Sequence, residues 1–135
     1  MSVSRMIILI FAMAVLLPES SAQTVTKPAG QEAWVYHILQ SDAKKLLGFM
    51  APMVDVELPT QRGAFNHSQL QTVLAGFFRQ YPPSAITISQ QGALNPRNDF
   101  FIGTYTSSET EYRLYIQAEK QPSGHKIFSF SIQRK

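Results

Sequence analysis

The sequence predicts a two-layer α+β roll, in which a curved antiparallel sheet packs against N-terminal and central helices. Three observations carry that prediction. Apolar residues recur at helical spacing through the first half of the chain. They alternate with a period of two through most of the second half. Short turn-rich connections join the alternating segments, and strands joined that way run antiparallel.

The N-terminus stands apart from this pattern. Arg5 places a positive charge before an uninterrupted apolar run, MIILIFAMAVLL, from Met6 to Leu17. PESSAQ follows, with Ser20 and Ala22 as the small residues a signal peptidase reads. Residues 1–22 therefore read as a cleavable secretory signal, cut after Ala22. A retained anchor fits less well, because about twelve apolar residues fall short of the roughly twenty that span a bilayer. The expected destination is the periplasm or the extracellular space, with no membrane association after cleavage. The chain has no cysteine. That excludes a thiol-linked lipid, a thiolate nucleophile and disulfide cross-links, so the exported domain must rely on packing.

Residues 23–30 lack periodicity and end in Pro and Gly, which reads as a flexible leader. Residues 31–135 suffice for one domain with its own core. The formal charge of +3 is scattered, with no cationic run longer than Lys44-Lys45. Nucleic-acid binding would need clustered basic residues interleaved with aromatics.

Trp34, Val35, Ile38 and Leu39 fall on one helical arc, and Ala43, Leu46, Leu47 and Met50 on a second, rotated arc. A break at Ser41-Asp42 reconciles them, giving two short helices that end before Pro52. MVDVELP then alternates as a half-buried strand, with Val54, Val56 and Leu58 on one face. TQRGAF reads as a turn. Asn66 and Gln69 form a capping-box pair ahead of Leu70, Val73, Leu74, Phe77, Phe78 and Tyr81, a single apolar stripe that Pro82 and Pro83 terminate. Such a stripe is a core face.

Four strands complete the chain: SAITISQQ; DFFIGTYTS; TEYRLYIQAE with Tyr112, Leu114, Ile116 and Ala118 inward; and KIFSFSIQR with Phe128, Phe130 and Ile132 inward. SSET and QPSGH are hairpin connections. DFFIGTYTS breaks the rule of one wet face. Phe101 and Tyr105 share one parity while Phe100 and Ile102 share the other. Either the strand is covered on both sides, or its second face belongs to a pocket or to a partner subunit.

SDAKKLLGFMAPMVDVELP, FNHSQLQTVLAGFFRQYPP, FFIGTYTSSETEYRLYIQAE and the closing IFSFSIQ together resemble a family of small exported Bacteroidetes proteins, domain of unknown function 4783. That family lies within the nuclear transport factor 2-like, or cystatin-like, superfamily. The resemblance spans residues 31–133 and implies a curved sheet wrapped around a long helix, together with export. It transfers no functional residue. The superfamily includes isomerases, dehydratases, binding domains and dimerisation modules, so the fold does not select an activity. Its isomerases use a buried tyrosine with carboxylic acids, and Tyr105, Tyr112 and Tyr115 are available here, without an acid evident on the inward face. Protease inhibitors of the cystatin type carry a Gln-X-Val-X-Gly hairpin, which QQGAL matches poorly.

Catalytic and metal-binding patterns are sparse. His37, His67 and His125 sit at no ligand spacing and read as solvated side chains. Asp55 and Glu57 share a strand face about 6.5–7 Å apart, as glycosidase carboxylates can, but charges on an outer strand also discourage edge pairing. No G-x-S-x-G elbow occurs, and QQGALNPRN reads as ordinary turn chemistry.

The reading that results is an exported, non-catalytic binding or interaction domain that self-associates through its sheet. No catalytic residue, cofactor or metal site is assigned. The partner is an unidentified protein or small molecule, a homodimer being one form. Interface candidates are Phe101, Tyr105 and Tyr115. The alternative is a small-ligand receptor, or an isomerase- or dehydratase-like enzyme, using the cone between helices and sheet, with Trp34, Tyr105 and Tyr112 as ligand-binding candidates.

Overall fold

The computed structural model describes residues 33–135. The expected signal at 1–22 and leader at 23–30 lie outside the described residues. Helices α1 (Ala33–Leu39), α2 (Ala43–Leu46) and α3 (His67–Gln80) cover one face of a six-stranded sheet. Its strands are β1 (Met50–Glu57), β2 (Arg62–Asn66), β3 (Ala85–Ala93), β4 (Asn98–Ser107), β5 (Thr110–Gln121) and β6 (Gly124–Arg134). Their spatial order is β2-β1-β6-β5-β4-β3. The four C-terminal strands form the expected meander. The sheet is mixed, because β1 lies parallel to β6 while every other pairing is antiparallel.

The break between α1 and α2 falls where the two apolar arcs diverge. Ser41 adopts φ 56°, and Asp42 caps α2 by accepting from the Lys45 N–H at 3.0 Å. A short 3₁₀ turn, Leu47–Phe49, delivers the chain into β1. Pro52 lies inside β1 rather than after a helix. Its missing N–H is tolerated because the β1–β6 register is irregular between Met50 and Asp55. At α3 the capping box is complete: Asn66 accepts from the Gln69 N–H, and Gln69 accepts from the Asn66 N–H. Leu70, Leu74, Phe77 and Phe78 form its buried face.

Two sequence readings need correction. Arg62–Asn66, read as a turn, is strand β2 paired with β1; five residues with a glycine are too few to show alternation. In β6 the inward residue is Ile127, not Phe128. A register shift opposite Gln117 and Ala118 leaves Phe128 unpaired, so Ile127 and Phe130 are both fully buried.

Gly103 marks a close backbone approach between β3 and β4. A Cβ there would lie 2.1 Å from the Thr87 carbonyl oxygen on β3, so only glycine lets β3 curl this closely over β4. Gly103→Ala is expected to cost about 3 kcal/mol or more, whereas Gly48→Ala meets nothing within 4 Å and leaves the fold nearly unchanged. Urea denaturation of the two variants checks this contrast.

Candidate functional site

The inner face of the sheet is filled by rings. Trp34 from α1 meets Phe101 of β4 edge-on, with centroids 5.3 Å apart. Phe77 from α3 reaches Tyr105 of β4 at 5.5 Å and Tyr81 at 5.1 Å. Tyr112 of β5 stands directly across from Tyr105 at 6.4 Å and contacts Tyr81 at 5.7 Å. Trp34, Phe101 and Tyr105 are fully buried, and Tyr112 nearly so. The Tyr105 hydroxyl donates to the Tyr81 carbonyl, just past the C-terminus of α3. Burial, and secondarily the neighbouring Tyr112, push the Tyr105 phenol far above its ordinary value. Tyr105 is thus a neutral structural donor at any physiological pH, holding the helix end to the sheet.

This arrangement separates the ligand-binding candidates. Tyr105 and Tyr112 are neighbours, while Trp34 sits against Phe101, whose α-carbon lies four residues, about 13 Å, along β4 from that of Tyr105. The interface candidates are divided by the sheet itself. Phe101 and Tyr105 face the helices and are closed to a partner docking from outside. Tyr115 lies on the outer face, paired with Ile102. The outer apolar patch consists instead of Phe100, Ile102 and Tyr115, all half-buried. The ring of Phe100 covers Gly92 across the β3–β4 pair, where a Cβ would approach it to 2.8 Å.

The sequence missed one polar pair. His125 Nε2 and Asp99 Oδ2 lie 2.9 Å apart, with side chains only 12 % and 14 % exposed. Lys120 Nζ stands 3.7 Å from the other Asp99 oxygen. His125 packs edge-on to Phe101 at 5.2 Å, so it is not the solvated hairpin residue expected. Ala118, between Asp99 and Ile127 in the strand register, is small enough for the two side chains to meet across β5. Trp34 Nε1 and His125 Nδ1, both buried, have no hydrogen-bond partner. The signal available in the sequence was the hairpin register, which brings residues 26 apart together. The other histidines also have structural contacts: His67 Nε2 lies 2.9 Å from the Ala51 carbonyl oxygen, and His37 stacks against Tyr36 and Phe49. No group of three or more His, Asp or Glu side chains converges among the described residues.

On the outer face, β1, β2, β5 and β6 enclose an open trough of about 470 Å³, lined by Asp55, Glu57, Arg62, Tyr115, Ser129 and Ser131 among others. Asp55 and Glu57 share this face as their spacing required. Glu57 is ion-paired with Arg62.

A curved sheet with helices on one face and a filled interior defines a roll of the nuclear transport factor 2-like, cystatin-like class. The model of the family described as "Domain of unknown function (DUF4783)" matches residues 32–133, and the chain belongs to that family. Similar crystal structures include a DUF4783 family protein from Bacteroides uniformis, 15 % identical, with a TM-score of 0.69 over 79 % of this chain and 98 % of that one. Another, from Bacteroides fragilis, is 17 % identical, with a TM-score of 0.67 over 82 % of this chain and 100 % of that one. An NTF2-like protein of unknown function from Cytophaga hutchinsonii shares 4 % identity, with a TM-score of 0.53 over 76 % and 83 %. At these identities the likeness carries the fold alone. The search of curated proteins returned no match.

The raised Tyr105 pKa has a definite sign. An unfolded tyrosine ionises near pH 10 while Tyr105 in the fold stays neutral, so its contribution is complete below that pH and is lost as pH rises beyond it. Tyr105→Phe is expected to lose about 1–3 kcal/mol at neutral pH through the orphaned Tyr81 carbonyl. It should also destabilise less steeply than wild type above pH 10. Urea midpoints at pH 8 and pH 10.5 check both effects.

Proposed function

We propose that this is an exported, non-catalytic binding domain that works through the outer face of its sheet and self-associates there. The observation that carries this reading is the contrast between the two faces. The inner face spends its aromatic side chains on packing. The outer face keeps Phe100, Ile102 and Tyr115 half-exposed on adjacent strands, where a lone domain would be expected to alternate to polar residues. Apolar area left on a sheet face is stabilised when a second sheet covers it. Export is supported by the apolar run from Met6 to Leu17 and the small residues that follow.

Sedimentation of the mature chain, residues 23–135, tests self-association. The expected result is a concentration-dependent dimer that Ile102→Glu converts to monomer without loss of secondary structure. A wild-type chain that stays monomeric at high micromolar concentration overturns it.

A second reading, a small-ligand receptor, is favoured by one observation: the unpartnered Trp34 Nε1 and His125 Nδ1 beside the Asp99–His125 pair. Buried polar groups are nearly always satisfied by protein or water, so a polar guest at this end of the roll would find a ready donor in the indole. Such a guest would shift Trp34 emission in wild type and fail to do so in His125→Phe. Titration with small alcohols and carboxylic acids separates the two readings.

A further inference from the structure

The trough on the outer face is built from side chains in register. One cross-strand row runs Arg62, Glu57, Ser131, Tyr115, and the next runs Ala64, Asp55, Ser129, Gln117. Along both rows the middle residue on β6 is a serine, with larger side chains on either side of it. β1 and β5 are two strand spacings apart, about 9.5 Å. The serines therefore form a hydroxyl floor between a wall made by Tyr115 and a facing wall made by Asp55 and the Glu57–Arg62 ion pair. The volume, about 470 Å³, falls within the roughly 300–1,000 Å³ typical of small-molecule sites.

The chemistry of the lining narrows the guest. Asp55 has no ion-pair partner among the described residues and offers a strong acceptor. The Tyr115 oxygen accepts from Gln117 Nε2 at 2.9 Å, which leaves the tyrosine O–H to donate. Arg62 and the serine hydroxyls supply further donors, and Glu57 a further acceptor. An anion such as phosphate would meet two carboxylates. A simple cation would meet Arg62 and leave the hydroxyl donors unused. Vicinal hydroxyls donate and accept at once, and the weakly positive C–H face of a sugar ring packs on the negative face of an aromatic ring.

We propose that this trough binds a neutral sugar ring, a pyranose unit of a glycan, with Tyr115 as the stacking platform and Asp55 as the principal hydroxyl acceptor. The proposal rests on the reading of the outer face as the binding surface, but it uses the trough over β1 and β6, which shares only Tyr115 with the apolar patch at Phe100 and Ile102. The open shape of the site implies weak binding of a single short oligosaccharide. Tighter capture would then come from several copies acting together.

The test is a ¹H–¹⁵N NMR titration of the mature chain with neutral oligosaccharides of glucose, galactose, mannose, xylose and N-acetylglucosamine, and with spermidine as the cationic comparison. At least one oligosaccharide should move the amides of Tyr115, Ser129 and Ser131 saturably. Asp55→Ala should weaken that binding tenfold or more. Ser131→Trp, which fills the trough, should abolish it while the rest of the spectrum stays dispersed. If no oligosaccharide moves those amides, if binding survives both substitutions, or if spermidine saturates them at lower concentration than every sugar, the proposal is overturned. Asp55→Ala, on β1 and separated from β5 by β6, should leave the sedimentation of the chain unchanged. Loss of self-association and loss of sugar binding are thereby read in separate experiments.

Discussion

Trp34 lies against Phe101, and Phe77 lies against Tyr105; the rest of the molecule is arranged around these two contacts between helix and sheet. Each aromatic side chain buries a large apolar area, so this packing dominates what the fold gains on forming. It also imposes geometry. The helices can reach the sheet only if the sheet curves around them, and Gly103 admits the close approach of the β3 backbone. The Tyr105 hydroxyl then ties down the end of α3 through the Tyr81 carbonyl, satisfying a polar group that burial would otherwise leave at a cost.

That packing decides where function can reside. A roll of this class has an inner cone and an outer face. Here the cone is occupied by side chains whose partners are other side chains of the same domain. The acid–base chemistry nearest to it, Asp99 with His125, sits at the end of the strands rather than at the centre. The outer face is different in kind. At Phe100 and Ile102 of β4 and Tyr115 of β5 it is apolar, and around β1 and β6 it is a trough carrying carboxylate, guanidinium and hydroxyl groups, so one sheet presents two chemically distinct surfaces side by side.

Much of the architecture was legible because burial writes period into sequence. The α3 stripe ending at Pro82, its capping box, the break at Ser41-Asp42 and the inward face of β5 all follow from spacing that the structure retains. What was not legible depends on strand pairing. β2 is too short to alternate. The parallel β1–β6 pairing joins strands from opposite ends of the chain, with no local signal. The bulge in β6 moves the buried position from Phe128 to Ile127, because one extra residue reverses every parity before it. The candidate sites show the same limit. The two-sided apolar character of DFFIGTYTS was visible, but which parity faced out was not, so Phe101 and Tyr105 stood as surface candidates when the outward, half-buried set is Phe100 and Ile102. The Asp99–His125 contact and the serine-floored trough exist only once the register is known.

The inner face is closed by its own rings, and the chain carries a reporter of that closure. Trp34 is its only tryptophan, and it is 1 % exposed at the contact that closes one end of the roll. Acrylamide quenching of the native mature chain, compared with the same chain in denaturant, tests that closure most directly. A filled interior predicts blue-shifted emission and a quenching slope many times lower than in the unfolded chain. Emission and quenching close to those of the unfolded chain would mean an open, wet cone and would contradict the account.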